Sequence, residues 1–237
     1  MLELTVRELR AWSPKLSGAQ SCAEFGYSSG ETLPLTHLSA GSARRLSALS
    51  KTSVELGLEV TQKHQPHHVV FSSRHGELVH AHELLQMIGR HEVLSPMMFS
   101  QSVHNSAIGA YTLAKQTRVP TTSLGAADHS FVAGLVSVYA YLREHPEHQV
   151  LYIAADHAVP ETFRPSLPED SASYVVAAVL GLGGSGRHLS LDSQTPPKET
   201  PVGRPEPQAV EFLRWFFSED PATILCTRAT AWRLTRC

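Results

Sequence analysis

Apolar positions in SARRLSALSKTSVELGLEV recur at helical spacing, with Leu46, Leu49, Leu56 and Val60 near one face after a loop rich in Ser and Gly. That pattern predicts an amphipathic helix. HHVVFSS, residues 67–73, is a short apolar run with polar flanks, and GELVHAHELLQMIGRH behind it aligns Leu78, Ala81, Leu85 and Ile88, so strand then helix follows. SPMMFSQSVHNSAIGAYTLAKQ opens on Pro and continues as a small-residue helix suited to close packing on another backbone. In PTTSLGAADHSFVAGL, TTSL reads as a strand that turns through a glycine corner into a helix with Val132, Leu135, Val136 and Tyr139 on one face. HQVLYIAAD and YVVAAVLGLG are apolar runs of strand length, of the kind buried on both faces of a sheet. Alternating strands and helices predict a layered α/β domain over residues 1–191.

Residues 192–207, DSQTPPKETPVGRPEP, hold five prolines without apolar periodicity and read as a linker or exposed loop. Beyond it, residues 208–237 are expected to add a helix, with Ala209, Phe212, Leu213 and Phe216 on one face, and a closing strand, both packing on the same domain.

Composition narrows the function classes. The 237 residues carry a formal charge of −2, which gives no basic field for nucleic acid. No apolar leader opens the chain and no run of eighteen apolar residues occurs, so neither secretion nor a membrane span is expected, and the cytoplasm is the expected compartment. Cys22, Cys226 and Cys237 are widely spaced and fit reduced thiols better than a disulfide framework or a zinc site. The 14 histidines make the charge pH-sensitive without assigning them a role.

Each candidate for chemistry has a plainer structural reading. Asp128 sits where a strand turns into a helix, a place that suits an N-cap, a nucleophile or a carboxylate touching a ligand or partner. His80 and His82 lie about 200° apart on a helix and cannot share one metal ion. REHPEH, with His145 and His148, reads as a solvated turn, and GLGGSG, residues 181–186, as a loop without the helix that a phosphate site requires. No G-x-S-x-G elbow occurs, and no metal or cofactor is expected.

The run LSPMMFSQSVHNSAIGAYTLAKQTRVPTTSLGAADHSFVAGLVSVYAYLREHPEHQVLYIAADHAVPE, with SARRLS upstream, resembles the N-terminal half of β-ketoacyl synthases of the thiolase superfamily over about residues 40–165. Ser95 and Pro96, Asn105 and Gly109, and Pro120 match the family's order, and eight residues after Pro120, where the family has its nucleophilic Cys, stands Asp128. No cysteine occurs between Cys22 and Cys226, and the chain stops where the half bearing the family's catalytic His and Lys residues would begin. The resemblance therefore implies a truncated thiolase-like fold and a subunit that does not condense. It is similar to chain length factors, the Cys-less partners that shape the acyl tunnel of an active ketosynthase in type II polyketide and aryl polyene systems. The partners implied are that ketosynthase, as a heterodimer, and an acyl carrier protein indirectly. Met97, Met98, Phe99, His104 and Asn105 would lie near the interface and tunnel, and strand residues Thr121, Thr122, Ser123 and Leu124 against the partner. Ordinary core for Met97, Met98 and Phe99, and a buried hydrogen-bonding role for Asn105, stand beside that assignment. Half such a fold leaves a sheet face needing cover, part of which residues 208–237 could supply. Two other functions stay open: an acyl-thioester hydrolase or decarboxylase using Asp128, and an independent acyl-carrier or acyl-CoA binding module.

Overall fold

Val69 and Phe71 face one side of the sheet and Val70 the other, an alternation repeated by Leu151, Ile153 and Ala155 against Tyr152 and Ala154. Both sets are buried, which is why these strands read as unbroken apolar runs. The computed structural model describes residues 1–16, 24–167, 172–195, 206–227 and 230–236. Its elements run β1 (Leu2–Trp12), β2 (Phe25–Ser28), α1 (Ala40–Ala43), α2 (Ala48–Val60), β3 (His68–Ser72), α3 (Leu78–Gly89), α4 (Pro96–Gln101), α5 (Ser106–Lys115) and β4 (Thr121–Leu124). Then come α6 (Ser130–Glu144), β5 (Val150–Asp156), a 3-10 turn (Glu161–Ser166), β6 (Tyr174–Gly181), β7 (Arg187–Gln194), α7 (Gln208–Phe216), β8 (Ala222–Cys226) and β9 (Ala231–Arg236).

The strands form one mixed sheet in the order β4-β3-β5-β6-β1-β7-β9-β8, with β2 beside the end of β1. β3 pairs in parallel with β4 and β5, and β6 runs antiparallel to β5 and β1. α2 and α5 cover one face of the central strands, and α6 and α7 the other. α5 approaches α2 closely: a Cβ on Gly57 would meet Tyr111 and Ile153 at 3.0 Å. Ser47 starts α2 by accepting from the Ser50 amide at 2.9 Å. The turn from β6 to β7 passes over the end of β1, where Gly186 has φ 135 and a Cβ would lie 2.9 Å from Thr5 Cγ2. That turn is the glycine run read as a loop, and only glycine fits its last position.

Several expectations change. β1 is a central strand of 11 residues whose apolar positions are interrupted by Glu3, Arg7, Glu8 and Arg10, so its sequence carries no unbroken apolar strand pattern. Glu8 is nevertheless buried, paired with Arg10 at 3.2 Å and with His64 at 3.2 Å. The closing strand is a hairpin, β8 and β9, with β9 hydrogen-bonded to β7. β7 itself extends to Gln194, inside the range read as a linker; residues 196–205 of that range, with Cys22 and Cys237, lie outside the described residues. His145 and His148 are half-buried in a stack of rings rather than solvated, because Tyr141 and His67 pack against them. His80 approaches Glu77 while His82 packs edge-on to Phe163, so the two point to different neighbours. No described helix is long and apolar enough to cross a membrane.

Candidate functional site

The turn between β4 and α6 is tight for stated reasons. A Cβ on Gly125 would sit 3.1 Å from the Ser73 carbonyl oxygen, so a side chain there would force the neighbouring backbone or the His104 ring to shift. Ala127 follows with φ 52, a left-handed conformation that costs a residue with a side chain about 1 kcal/mol or more. Ser130 holds the turn from behind, accepting from the Ala126 amide at 2.9 Å and donating to the Ala127 carbonyl at 2.7 Å. Asp128 stands at the apex.

Asp128 does not cap the helix it precedes. The cap position falls on His129 and no side chain caps it, because the left-handed Ala127 delays the first helical residue to Ser130. The Asp128 carboxylate lies 3.4 Å from His129 Nε2 instead, with a quarter of its side chain exposed. His129 Nδ1 is 2.9 Å from Thr227 Oγ1 and 3.0 Å from Thr230 Oγ1, the residues that follow β8 and precede β9, so this turn is tied to the C-terminal hairpin.

Behind the turn, at the C-terminal ends of β3 and β5, lies a buried polar network. The Asp156 carboxylate accepts from Ser73 Oγ at 2.7 Å, Tyr174 OH at 2.7 Å, and the amides of His75 at 2.8 Å and Arg74 at 3.1 Å. Burial, then the charge and hydrogen bond of Asp156, push the Tyr174 hydroxyl well above its ordinary range, so it stays a neutral donor. Burial lowers the pKa of His75 and of His157 against the opposing pull of Asp156, joined at His157 by Glu77. Glu77 also accepts from Ser47, Ser50 and Ser106, which pins the starts of α2, α3 and α5 to one carboxylate. Ser73, Asp156, Tyr174 and Glu77 were missed in the sequence, since each is one polar letter at the end of an apolar run or beside a histidine pair. The one signal available was Asp156 closing HQVLYIAAD.

The residues assigned to an interface fall into two groups. His104 is held inside, with Nδ1 2.9 Å from Ser123 Oγ and Nε2 2.9 Å from the Ser73 carbonyl. Ser95 caps α4 by accepting from the Met98 amide at 3.3 Å. Met97 and Phe99, on that helix, project outward, Phe99 being 63% exposed, and Met98 is half-buried, so the core reading does not hold for the first two. Asn105 is exposed at the start of α5 with no capping bond from its side chain, which excludes the buried hydrogen-bonding role. The predicted apolar face of α3 turns the same way: Leu85 and Ile88 are exposed, only Leu84 is buried, and Leu113 on α5 is 81% exposed. β4 is a sheet edge, with Thr121 exposed and Thr122, Ser123 and Leu124 half-buried.

The chemistry available at Asp128 is that of a carboxylate beside an imidazole. Cys226, the described thiol, has its pKa pushed up by burial and then by Glu211, the opposite of what activates a nucleophile.

No curated protein matches the chain by sequence. Among solved structures, it is similar over 100% of both chains to a chain of the ketosynthase (ApeO) in complex with its chain length factor (ApeC) from Xenorhabdus doucetiae, with a TM-score of 0.83 and 26% identity. The ishigamide ketosynthase/chain length factor aligns over 67% of this chain and 52% of its own at 12% identity and a TM-score of 0.54. A β-ketoacyl synthase from Burkholderia phymatum STM815 aligns over 85% and 66% at 7% identity and a TM-score of 0.57. The last two show the thiolase-like ketosynthase fold alone. The family defined by the β-ketoacyl synthase N-terminal domain matches residues 18–234, and the chain belongs to that family.

Proposed function

We propose that this chain is a non-catalytic, chain-length-factor-like subunit that pairs with an active β-ketoacyl synthase in polyketide-type biosynthesis, of the aryl polyene kind, and helps to wall its acyl tunnel. The observation that carries the reading is Asp128 at the apex of the strand-to-helix turn where the family places its cysteine, with no cysteine from residue 23 to 225. Condensation through an acyl-enzyme needs a thiolate, and a carboxylate paired with an imidazole is a poor substitute. The open edge of β4 and the exposed side chains of Leu85, Met97, Phe99 and Leu113 support a partner on that side. The full-length likeness to a chain of a ketosynthase and chain length factor pair points the same way. In this reading the partner supplies the thiol, the acyl carrier protein delivers to the partner, and Met97, Met98 and Phe99 contribute adaptable apolar wall to a flexible acyl chain. The complex works in the cytoplasm.

A second reading, thioester hydrolysis or decarboxylation with Asp128 as base, is favoured by the 3.4 Å contact to His129 Nε2. Asp128→Asn in the reconstituted pair separates the two. Unchanged elongation and product length support the scaffold, and loss of turnover with an intact complex supports the base.

A further inference from the structure

Five histidines gather at the end of the sheet opposite Asp128. His67 stacks on His148 at 4.1 Å between ring centroids with the planes 6° apart, and His148 stacks on His145 at 4.8 Å. Tyr141, on the last turn of α6, packs against His145 at 4.7 Å and against His68 at 4.5 Å. His68 Nε2 lies 2.9 Å from Thr122 Oγ1 on β4, and His64 lies beside the group, with Nδ1 3.2 Å from Gln149 Oε1. Rings stacked face to face point their nitrogens alongside one another, so they do not converge on one metal ion.

We propose that the ring stack of His67, His148 and His145 on Tyr141 is an acid-sensitive latch that fastens the C-terminal turn of α6 to the start of β3. The geometry requires a neutral ring at His67. The Gln149 amide donates to His67 Nδ1 at 3.2 Å, and a backbone N–H can only donate, so this nitrogen must present its lone pair. An imidazolium has no such lone pair, and protonating His67 breaks the bond. Tyr141 OH is 2.9 Å from His148 Nδ1, a contact that joins the ring stack to the last turn of α6. Two charged rings stacked at 4.1 Å would also repel each other.

The surrounding charges are few. Glu147 lies 3.7 Å from His148 Nε2 but is 77% exposed, so solvent screens it. From β1, Glu8 faces His64 at 3.2 Å and is shared with Arg10, which also pairs with Glu59 of α2 at 2.8 Å. His68 is held below the ordinary histidine range by burial and then by His145. A proton on His67 Nδ1 competes directly with the Gln149 amide for the same lone pair, which is why acid is expected to loosen the latch.

Hydrogen exchange of the full chain at pH 7.5 and 5.5, corrected for intrinsic rates, tests the latch. The latch predicts about a tenfold faster opening at pH 5.5 confined to residues near 66–69 and 141–150, with the centres of β5 and β6 unchanged. His67→Asn keeps an acceptor for the Gln149 amide without a titrating ring, and His145→Phe keeps the stacking without the charge. Each variant is expected to reduce the acid effect severalfold. Equal protection at both pH values, a loss spread evenly over the sheet, or an undiminished acid effect in both variants would overturn the proposal.

Discussion

The His104 imidazole donates from Nε2 to the Ser73 carbonyl oxygen across 2.9 Å, which ties the entry to α5 to the end of β3. Its other nitrogen meets Ser123 of β4, so one side chain joins the edge strand to the polar network under the Asp128 turn. A Cβ on either Gly76 or Gly125 would crowd the same ring, at 3.0 and 3.3 Å. The edge strand is therefore anchored from within while its outer side stays open.

The network itself should be costly to disturb. Asp156→Asn sets an amide N–H₂ against the backbone donor of either Arg74 or His75, which bond to different carboxylate oxygens, and the expected loss is about 2–3 kcal/mol, or roughly 5–10 °C in Tm. Tyr174→Phe removes one donor and should cost about 1 kcal/mol. Thermal unfolding of the three proteins gives the order, and equal midpoints for Asp156→Asn and the parent would show that the carboxylate is not satisfied as described.

Glu211 predicts a pH effect of the opposite sense to acid denaturation. Burial, then Glu206, raise its carboxyl from 4.5 to about 7, against the pull of Arg214. Between those values the folded chain keeps a proton that the unfolded chain has released, so stability falls as pH rises through this window and stays reduced above it. Glu211→Gln should gain about 1–2 kcal/mol at pH 8, a figure discounted for the partly exposed group, and much less at pH 5. Tm measured at the two values checks it.

The exposed apolar side chains carry the prediction about assembly. Leu85→Glu and Phe99→Glu place charges on groups that are 63% exposed in this chain, so the lone fold should change by less than about 0.5 kcal/mol. If these groups are buried against a ketosynthase, each should weaken the complex by about 2 kcal/mol or more, roughly thirtyfold in Kd. Titration calorimetry or competition pull-down with the parent chain reads this directly.

The sequence showed what local pattern encodes. β3, β5 and β6 were legible because burial on both faces leaves only apolar letters, and α7 because Ala209, Phe212, Leu213 and Phe216 share one face. β1 was not, since Glu8 and Arg10 neutralise each other and the strand looks like a charged surface segment. The α3 periodicity was correct as a pattern, yet its apolar face carries Leu85 and Ile88 outward; period reveals that a face is apolar and not what covers it. At the site, the turn bearing Asp128 was readable, while its pairing with His129 depends on the left-handed Ala127. The bond from Ser73 to Asp156 spans 83 residues, and such pairing exists only once β3 and β5 lie side by side.

The most direct test is co-expression of this chain with an active β-ketoacyl synthase from the same organism, followed by size-exclusion chromatography with mass determination and an elongation assay with and without this chain. The account predicts a stable one-to-one complex whose activity or product length depends on this subunit and survives Asp128→Asn. A monomer that leaves elongation unchanged would contradict it.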